Sequence, residues 1–362
     1  MTAESNRTKK VAILVEQNFE DSEFQIPYTA LQEAGAEVTV LGSRMNEKYA
    51  GKQGKVSIEP DGTTTEARAE DFDAVIIPGG MAPDTMRTNM KTVRFVQDAV
   101  EQNKLVAAVC HGPQVLIEGD LLKGRRATGF GAIRKDMQNA GANFTDEALV
   151  VDGNLITSRR PGDVPQFTVA ILRRLGLETK ETALPDDPGA DWWKLGEAWG
   201  GSSKSEIADG LNTAIRGERY AMEAFNHYAE KATDDELRSA FEEISATKQR
   251  HVQMLEARLQ ALGEQESFQA AGSGAYATLK SWLQSSDDVS ILRRALGDLQ
   301  TGVVDAYNLR NSLTDPTTVA IFDEIEVDIA KHEQRVADLY HARTGKGQAK
   351  AAQPTTGTAA SA

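Results

Sequence analysis

The hydrophobic pattern of this chain changes once, and that change restricts its fold more than any other feature. Up to residue 176, short apolar runs of strand length alternate with helical segments. The runs are 11–15 (VAILV), 38–41 (VTVL), 74–77 (AVII) and 105–109 (LVAAV). Helical spacing fills 22–34, 93–101 and 164–175, and Asp152-Gly153 splits 149–157 into a hairpin. Apolar strands separated by helices need cover on both faces, which implies an α/β sandwich around a mostly parallel sheet. From 206 to 344 every segment carries helical period instead, at 207–231, 236–262, 275–283, 289–313 and 318–343.

The helical half repeats itself. Met222-Glu223-Ala224-Phe225-Asn226 aligns with Val304-Asp305-Ala306-Tyr307-Asn308, Phe241-Glu242-Glu243-Ile244 with Phe322-Asp323-Glu324-Ile325, and His251 with His332, a period of 81–82 residues. Two similar helical hairpins with a longer connection make a four-helix bundle with one crossover. Phe225, Met222, Tyr307 and Val304 fall at core spacing. The expected layout is a disordered start at 1–9, an α/β domain at 10–176, a linker at 177–205, the bundle at 206–344 and a disordered Ala/Thr/Gly/Gln-rich tail at 345–362. Trp192, Trp193 and Trp199 in the linker are expected to dock on one of the domains.

Charge and cysteine content exclude several function classes. Lys and Arg number 40 against 54 Asp and Glu, a net charge of −14, so no nucleic-acid-binding surface is expected. The single cysteine, Cys110, excludes an intrachain disulfide framework and any multi-cysteine metal site. No stretch reaches the ~18–20 apolar residues of a membrane span. The start, MTAESNRTKK, has no apolar secretory core, so a cytoplasmic protein without membrane contact is expected.

Cys110 stands where an apolar strand turns into Cys110-His111-Gly112-Pro113 and a helix. Parallel sheets present ligands at the carboxyl ends of their strands, and a nucleophile on such a turn is held exposed. The position at a helix N-terminus is expected to lower the thiol pKa. Backbone N–H groups near Gly80 and His111 are candidates for an oxyanion site.

These residues carry a resemblance. Phe19-Glu20-Asp21-Ser22-Glu23 with Pro27, Pro78-Gly79-Gly80-Met81-Ala82-Pro83-Asp84, Val109-Cys110-His111-Gly112-Pro113-Gln114, Asp136-Met137-Gln138-Asn139-Ala140-Gly141 and Val150-Val151-Asp152-Gly153-Asn154 resemble the DJ-1/PfpI superfamily, nearest its PfpI branch. The resemblance spans nearly all of 1–176 and implies a flavodoxin-like sandwich. It implies that Cys110 is the nucleophile, Glu23 the carboxyl group that bonds the cysteine and shuttles protons, and His111 the adjacent histidine. It further implies that Asp84, where a Glu is usual, orients that histidine from a neighbouring subunit, so that the chain works as a homo-oligomer. Glu20 matches a second acidic position of the branch. A carboxyl group buried against a thiolate has its pKa raised by desolvation and like charge, which suits a general acid–base.

Residues 206–343 resemble the ferritin-like superfamily, nearest the rubrerythrin-type bundles. The match is Gly217-Glu218 with Tyr228, Phe241 with His251, and the repeat of that half. A di-iron bundle needs Glu from two helices and Glu-x-x-His from the other two. Glu218, His251 and His332 remain as weak metal candidates. Lys248 and Ile329 stand at the Glu positions of the two Glu-x-x-His steps, and Gln300 stands opposite Glu218 in the repeat. Asp328 could partly substitute, one turn before His332. No metal and no other cofactor is therefore expected.

The expectation is a stress-response enzyme acting on a small carbonyl substrate or a glycated protein or peptide, as a glutathione-independent glyoxalase or deglycase. A PfpI-type peptidase, and a redox sensor or chaperone with the bundle as assembly module, are the alternatives.

Overall fold

The structure is a computed structural model; it describes residues 7–179, 184–185, 189–265 and 287–345. The helix expected at 275–283, most of the tail from 345 and the first six residues lie outside the described residues. The chain divides into two units, one of residues up to Ile207 together with Leu309–Ala320, the other of Ala208–Asn308 and the residues from Ile321.

The first unit is built on a seven-stranded sheet. Its order is Leu149–Asp152, Leu155–Ser158, Leu105–Val109, Ala74–Ile77, Lys10–Leu14, Glu37–Gly42, Gly62–Thr63. All neighbours pair in parallel except Leu149–Asp152, which returns antiparallel through the Gly153 turn. Residues 74–77 and 105–109 are buried without exception, as strands covered on both faces require. Helices Asp21–Glu33, Met90–Glu101 and Val164–Leu175 each bury an apolar stripe. The two-residue edge strand Gly62–Thr63 and the short pairs Tyr49–Ala50 with Ser57–Ile58 and Arg126–Ala127 with Asn143–Phe144 are too brief for a periodic signal.

The segment expected as a linker contains a helix, Trp192–Ala198. Trp192 and Trp199 are buried, and Trp199 Nε1 donates to Glu33 Oε2 at 3.1 Å. Farther along, Ser202 N–H donates to Thr314 Oγ1 at 2.7 Å and Thr314 N–H to Ser202 Oγ at 3.1 Å. Residues 192–202 thus belong to the first unit's packing, because two indoles and a reciprocal pair of buried hydrogen bonds are satisfied there.

Among the described residues the second unit is built on four long helices, Lys204–Lys231, Asp235–Ala261, Asp288–Ser312 and Pro316–Thr344, of which 204–207, 309–312 and 316–320 fall in the first unit. Asp234 caps the second through a bond from Leu237 N–H, and Pro316 begins the fourth. Phe225, Phe241 and Phe322 are fully buried, but Val304 is 56% and Tyr307 39% exposed, against expectation. The third helix turns a different stripe inward, made of Ile291, Leu292, Ala295, Leu299 and Ala306. Among the described residues no helix is long and apolar enough to cross a membrane.

Candidate active site

Three adjacent strands, Lys10–Leu14, Ala74–Ile77 and Leu105–Val109, end side by side, and the loops beyond their carboxyl ends carry the cluster. Cys110 follows the last of these with φ +60°, a left-handed conformation that costs an L-residue roughly 1–2 kcal/mol. The surroundings hold it there. Its N–H donates to Ser158 O at 3.0 Å, and its carbonyl accepts from Phe130 N–H at 2.9 Å. A Cβ on Gly112 would lie 2.4 Å from Ile77 O, so the next turn closes only around glycine.

Glu23, in the first turn of Asp21–Glu33, is fully buried, and its Oε2 accepts from Gly79 N–H at 2.7 Å. A Cβ on Gly79 would fall 2.6 Å from Cys110 Cβ, 2.7 Å from Glu23 Oε2 and 2.8 Å from His111 N. Cys110 Cβ, the Glu23 carboxyl group and the His111 N–H therefore close on Gly79 so tightly that residue 79 can carry no side chain. His111 Nδ1 lies 3.3 Å from Cys110 Sγ, and the ring stacks on Phe130 with centroids 4.9 Å apart. The Gly80 N–H is directed at the Cys110 sulfur.

Burial dominates the electrostatics. It lifts Glu23 from 4.5 to about 8, helped by the nearby Glu20 charge and opposed by the Gly79 N–H and Lys52, so the carboxyl is protonated at neutral pH. The same burial, with Glu23 beside it, pushes the Cys110 thiol well up, although the Gly80 N–H and Lys52 favour the thiolate. This reverses the direction expected from the helix N-terminus. Helix Pro113–Glu118 has only six residues, and its field does not offset the loss of water and the neighbouring acid. His111 is lowered, first by burial and then by the Lys52 charge, with Asp84 acting in the opposite sense.

Two further groups join the cluster. Glu20, 1% exposed, forms an ion pair with Lys52, and its Oε1 accepts from Gln53 Nε2 at 2.9 Å. Asp21 fixes the 51–56 loop by accepting from Gln53 and Val56 N–H groups, both at 2.8 Å. Sequence reasoning misses Lys52, which lies in an aperiodic loop; the buried acid at Glu20 is the signal that a cation must be near. Asp84, in the turn Ala82–Met86, is exposed, and among the described residues no hydrogen bond joins it to His111.

In the second unit, Glu218 and His251 come together: Glu218 Oε2 lies 2.8 Å from His251 Nδ1. Lys248 Nζ donates to Glu218 Oε1 at 2.9 Å. Burial alone would raise Glu218, yet the bonds from His251 and Lys248 hold it below the ordinary carboxylate value. His332 is not part of this group; its Nε2 lies 3.0 Å from Thr247 Oγ1. Asp328 faces His251 and Arg250 rather than His332. Gln300 is exposed and Ile329 buried. Among the described residues no three His, Cys, Asp or Glu side chains are grouped to hold a metal ion, and the ammonium of Lys248 bonds the buried Glu218 carboxylate. The residues present do not fit a di-iron centre.

Comparison with known proteins places both units. The profile of the DJ-1/PfpI family matches residues 9–174, which hold every group of the cysteine cluster. General stress protein 18 of Bacillus subtilis is 43% identical over 160 residues, 44% of this chain and 93% of that protein. The chain belongs to the DJ-1/PfpI family. Protein/nucleic acid deglycase 2 of Escherichia coli is 42% identical over 170 residues, 47% of this chain and 99% of that protein. YraA of Bacillus subtilis, provisionally named a cysteine protease, is 44% identical over 160 residues, 44% of this chain and 94% of that protein. Beyond the DJ-1/PfpI portion, a domain of unknown function, DUF2383, matches residues 206–308. A crystal structure of a two-domain protein from Anabaena variabilis, with DJ-1/ThiJ/PfpI-like and ferritin-like domains, is similar over both parts. It is 58% identical, with 97% of this chain and 100% of that chain covered and a TM-score of 0.86. The present chain is likewise a DJ-1/PfpI α/β domain followed by an all-helical, ferritin-like domain.

Proposed function

We propose that this protein is a cysteine-dependent enzyme acting on reactive carbonyls, of the glyoxalase or deglycase type, as part of a stress response. The observation that carries the reading is the buried pair of Glu23 and Cys110, brought together against Gly79. The pair holds a proton near neutrality and offers a sulfur nucleophile beside it. The names of the deglycase and general stress protein relatives support the substrate class.

In this reading Cys110 Sγ forms a bond to the carbonyl carbon while the thiol proton passes through Glu23 to the carbonyl oxygen, giving a hemithioacetal. The N–H groups of Gly80 and His111 hold the developing oxyanion. For methylglyoxal, Glu23 then gives its proton to the neighbouring carbonyl oxygen and takes the C–H proton, forming an enediol; it next protonates the neighbouring carbon and takes the proton of the first hydroxyl, leaving a lactate thioester and a protonated Glu23. Water releases lactate and restores the thiol. The net change is addition of one water, with no oxidant or reductant. For a glycated amine in its hemiaminal form, the Cys110 S–C bond forms as the C–N bond breaks, the thiol proton passes through Glu23 to the leaving amine, and the same hemithioacetal results. We assign Asp84 of a second copy to hold His111, so that the complete site belongs to a homo-oligomer.

The test is methylglyoxal consumption without glutathione or added metal in the wild type, Cys110→Ala and Glu23→Gln. Lactate formation that both substitutions abolish is expected. Absence of wild-type turnover, with Cys110 still alkylated rapidly, would overturn the carbonyl reading and turn attention to peptide amides.

A further inference from the structure

The centre of the helical unit holds a charge that the carbonyl chemistry does not use. Lys248 is 2% exposed, on a helix whose inward residues include Ile244, Val252 and Leu255. A buried ammonium without a counter-charge is strongly unfavourable. Its Nζ donates to Glu218 Oε1 at 2.9 Å, and the second oxygen of that carboxylate lies 2.8 Å from His251 Nδ1. His251 Nε2 is 3.5 Å from Asp328 Oδ2, which also pairs with Arg250, while Lys331 pairs with Asp328 Oδ1. The chain of contacts crosses three helices, Lys204–Lys231, Asp235–Ala261 and Pro316–Thr344. The fourth lies close against the ammonium: a Cβ on Gly302 would lie 3.8 Å from Lys248 Nζ and 3.3 Å from Ile329 Cδ1.

In a metal-loaded bundle of this class, carboxylates and histidines from facing helices converge on cations. Here one such carboxylate and one such histidine are kept, and a side-chain cation lies against them. We propose that Lys248 is a tethered cation, its ammonium taking the place of metal charge beside Glu218 and His251, so that this bundle is cross-linked at its centre without a metal. The arrangement assigns Glu218 and His251 a structural use: they bind a side chain of their own fold. It also makes the centre unable to exchange its cation with solution.

The experiment follows thermal unfolding of the full-length protein for Lys248→Met, Glu218→Gln and the double variant at neutral pH. Lys248→Met leaves an anionic Glu218 buried, and a fall in Tm of roughly 10 °C is expected. Removing both charges is expected to recover most of that loss in the double variant. A double variant as damaged as the sum of the singles, or a Lys248→Met protein as stable as the wild type, would overturn the proposal. If Lys248→Met does not fold, the double variant carries the test alone, since it must fold where the single does not. Manganese provides an independent arm. Wild-type Tm is expected to be the same with equimolar Mn²⁺ as with chelator, and a rise that His251→Ala abolishes would show a metal site where the ammonium is placed.

Discussion

Glu23 keeps a proton that the unfolded chain gives up near 4.5, and holds it to about 8. Between those values the folded state binds one proton more than the unfolded state, so stability declines as pH rises from 4.5 to about 8 and levels off above. Glu23→Gln removes this dependence, and at pH 7 the variant is expected to gain on the order of 3 kcal/mol while losing turnover. Chemical denaturation at pH 5, 7 and 9 measures it; a variant with the wild-type pH slope would count against the buried acid. Lys52 acts on the same protons from the opposite side. Because its charge favours the ionised forms of Glu23 and Cys110, Lys52→Met is expected to move the rate profile for Cys110 alkylation to higher pH. A profile that stays in place would remove Lys52 from the site. Element period locates Cys110 and His111 at a strand-to-helix turn, and only the resemblance to the DJ-1/PfpI family picks out Glu23 in the sequence. Neither reveals Lys52, whose importance arises from Glu20 across the fold. Nor does either show that burial outweighs the helix end in setting the thiol.

Elements position these groups by what glycine permits. Gly112→Ala would drive a methyl group into Ile77 O. Backbone has to move, so a loss of about 1–3 kcal/mol is expected, together with slower alkylation of Cys110 as its strained turn relaxes. Urea unfolding and a thiol-reagent time course check the two effects, and an unchanged alkylation rate in a destabilised protein would separate fold from site. The strands and long helices read directly from hydrophobic period, to within a few residues at their ends. The helix at Trp192–Ala198 does not, because its seven residues lie among prolines and glycines and its order comes from burying indoles. The repeat misleads at Val304 and Tyr307 for a related reason. Similar residues recur, but the third helix turns a different stripe inward.

For the molecule as a whole, the site we propose needs more than one copy, through Asp84. Asp84→Ala is expected to lower turnover at least tenfold, the scale of losing about 1.4 kcal/mol of transition-state stabilisation, with Tm unchanged because the side chain is exposed. Light scattering alongside the assay decides the point: a monomer with full activity would exclude the shared site. The division of the chain has a consequence for its integrity. Its first unit comprises residues up to Ile207 and then, a hundred residues later, Leu309–Ala320, where Thr314 meets Ser202. The backbone therefore passes between units three times, after Ile207, after Asn308 and after Ala320. One nick after Ile207 would not separate two tidy modules. It would leave a large fragment missing a piece of its own packing, and that piece attached to the other product.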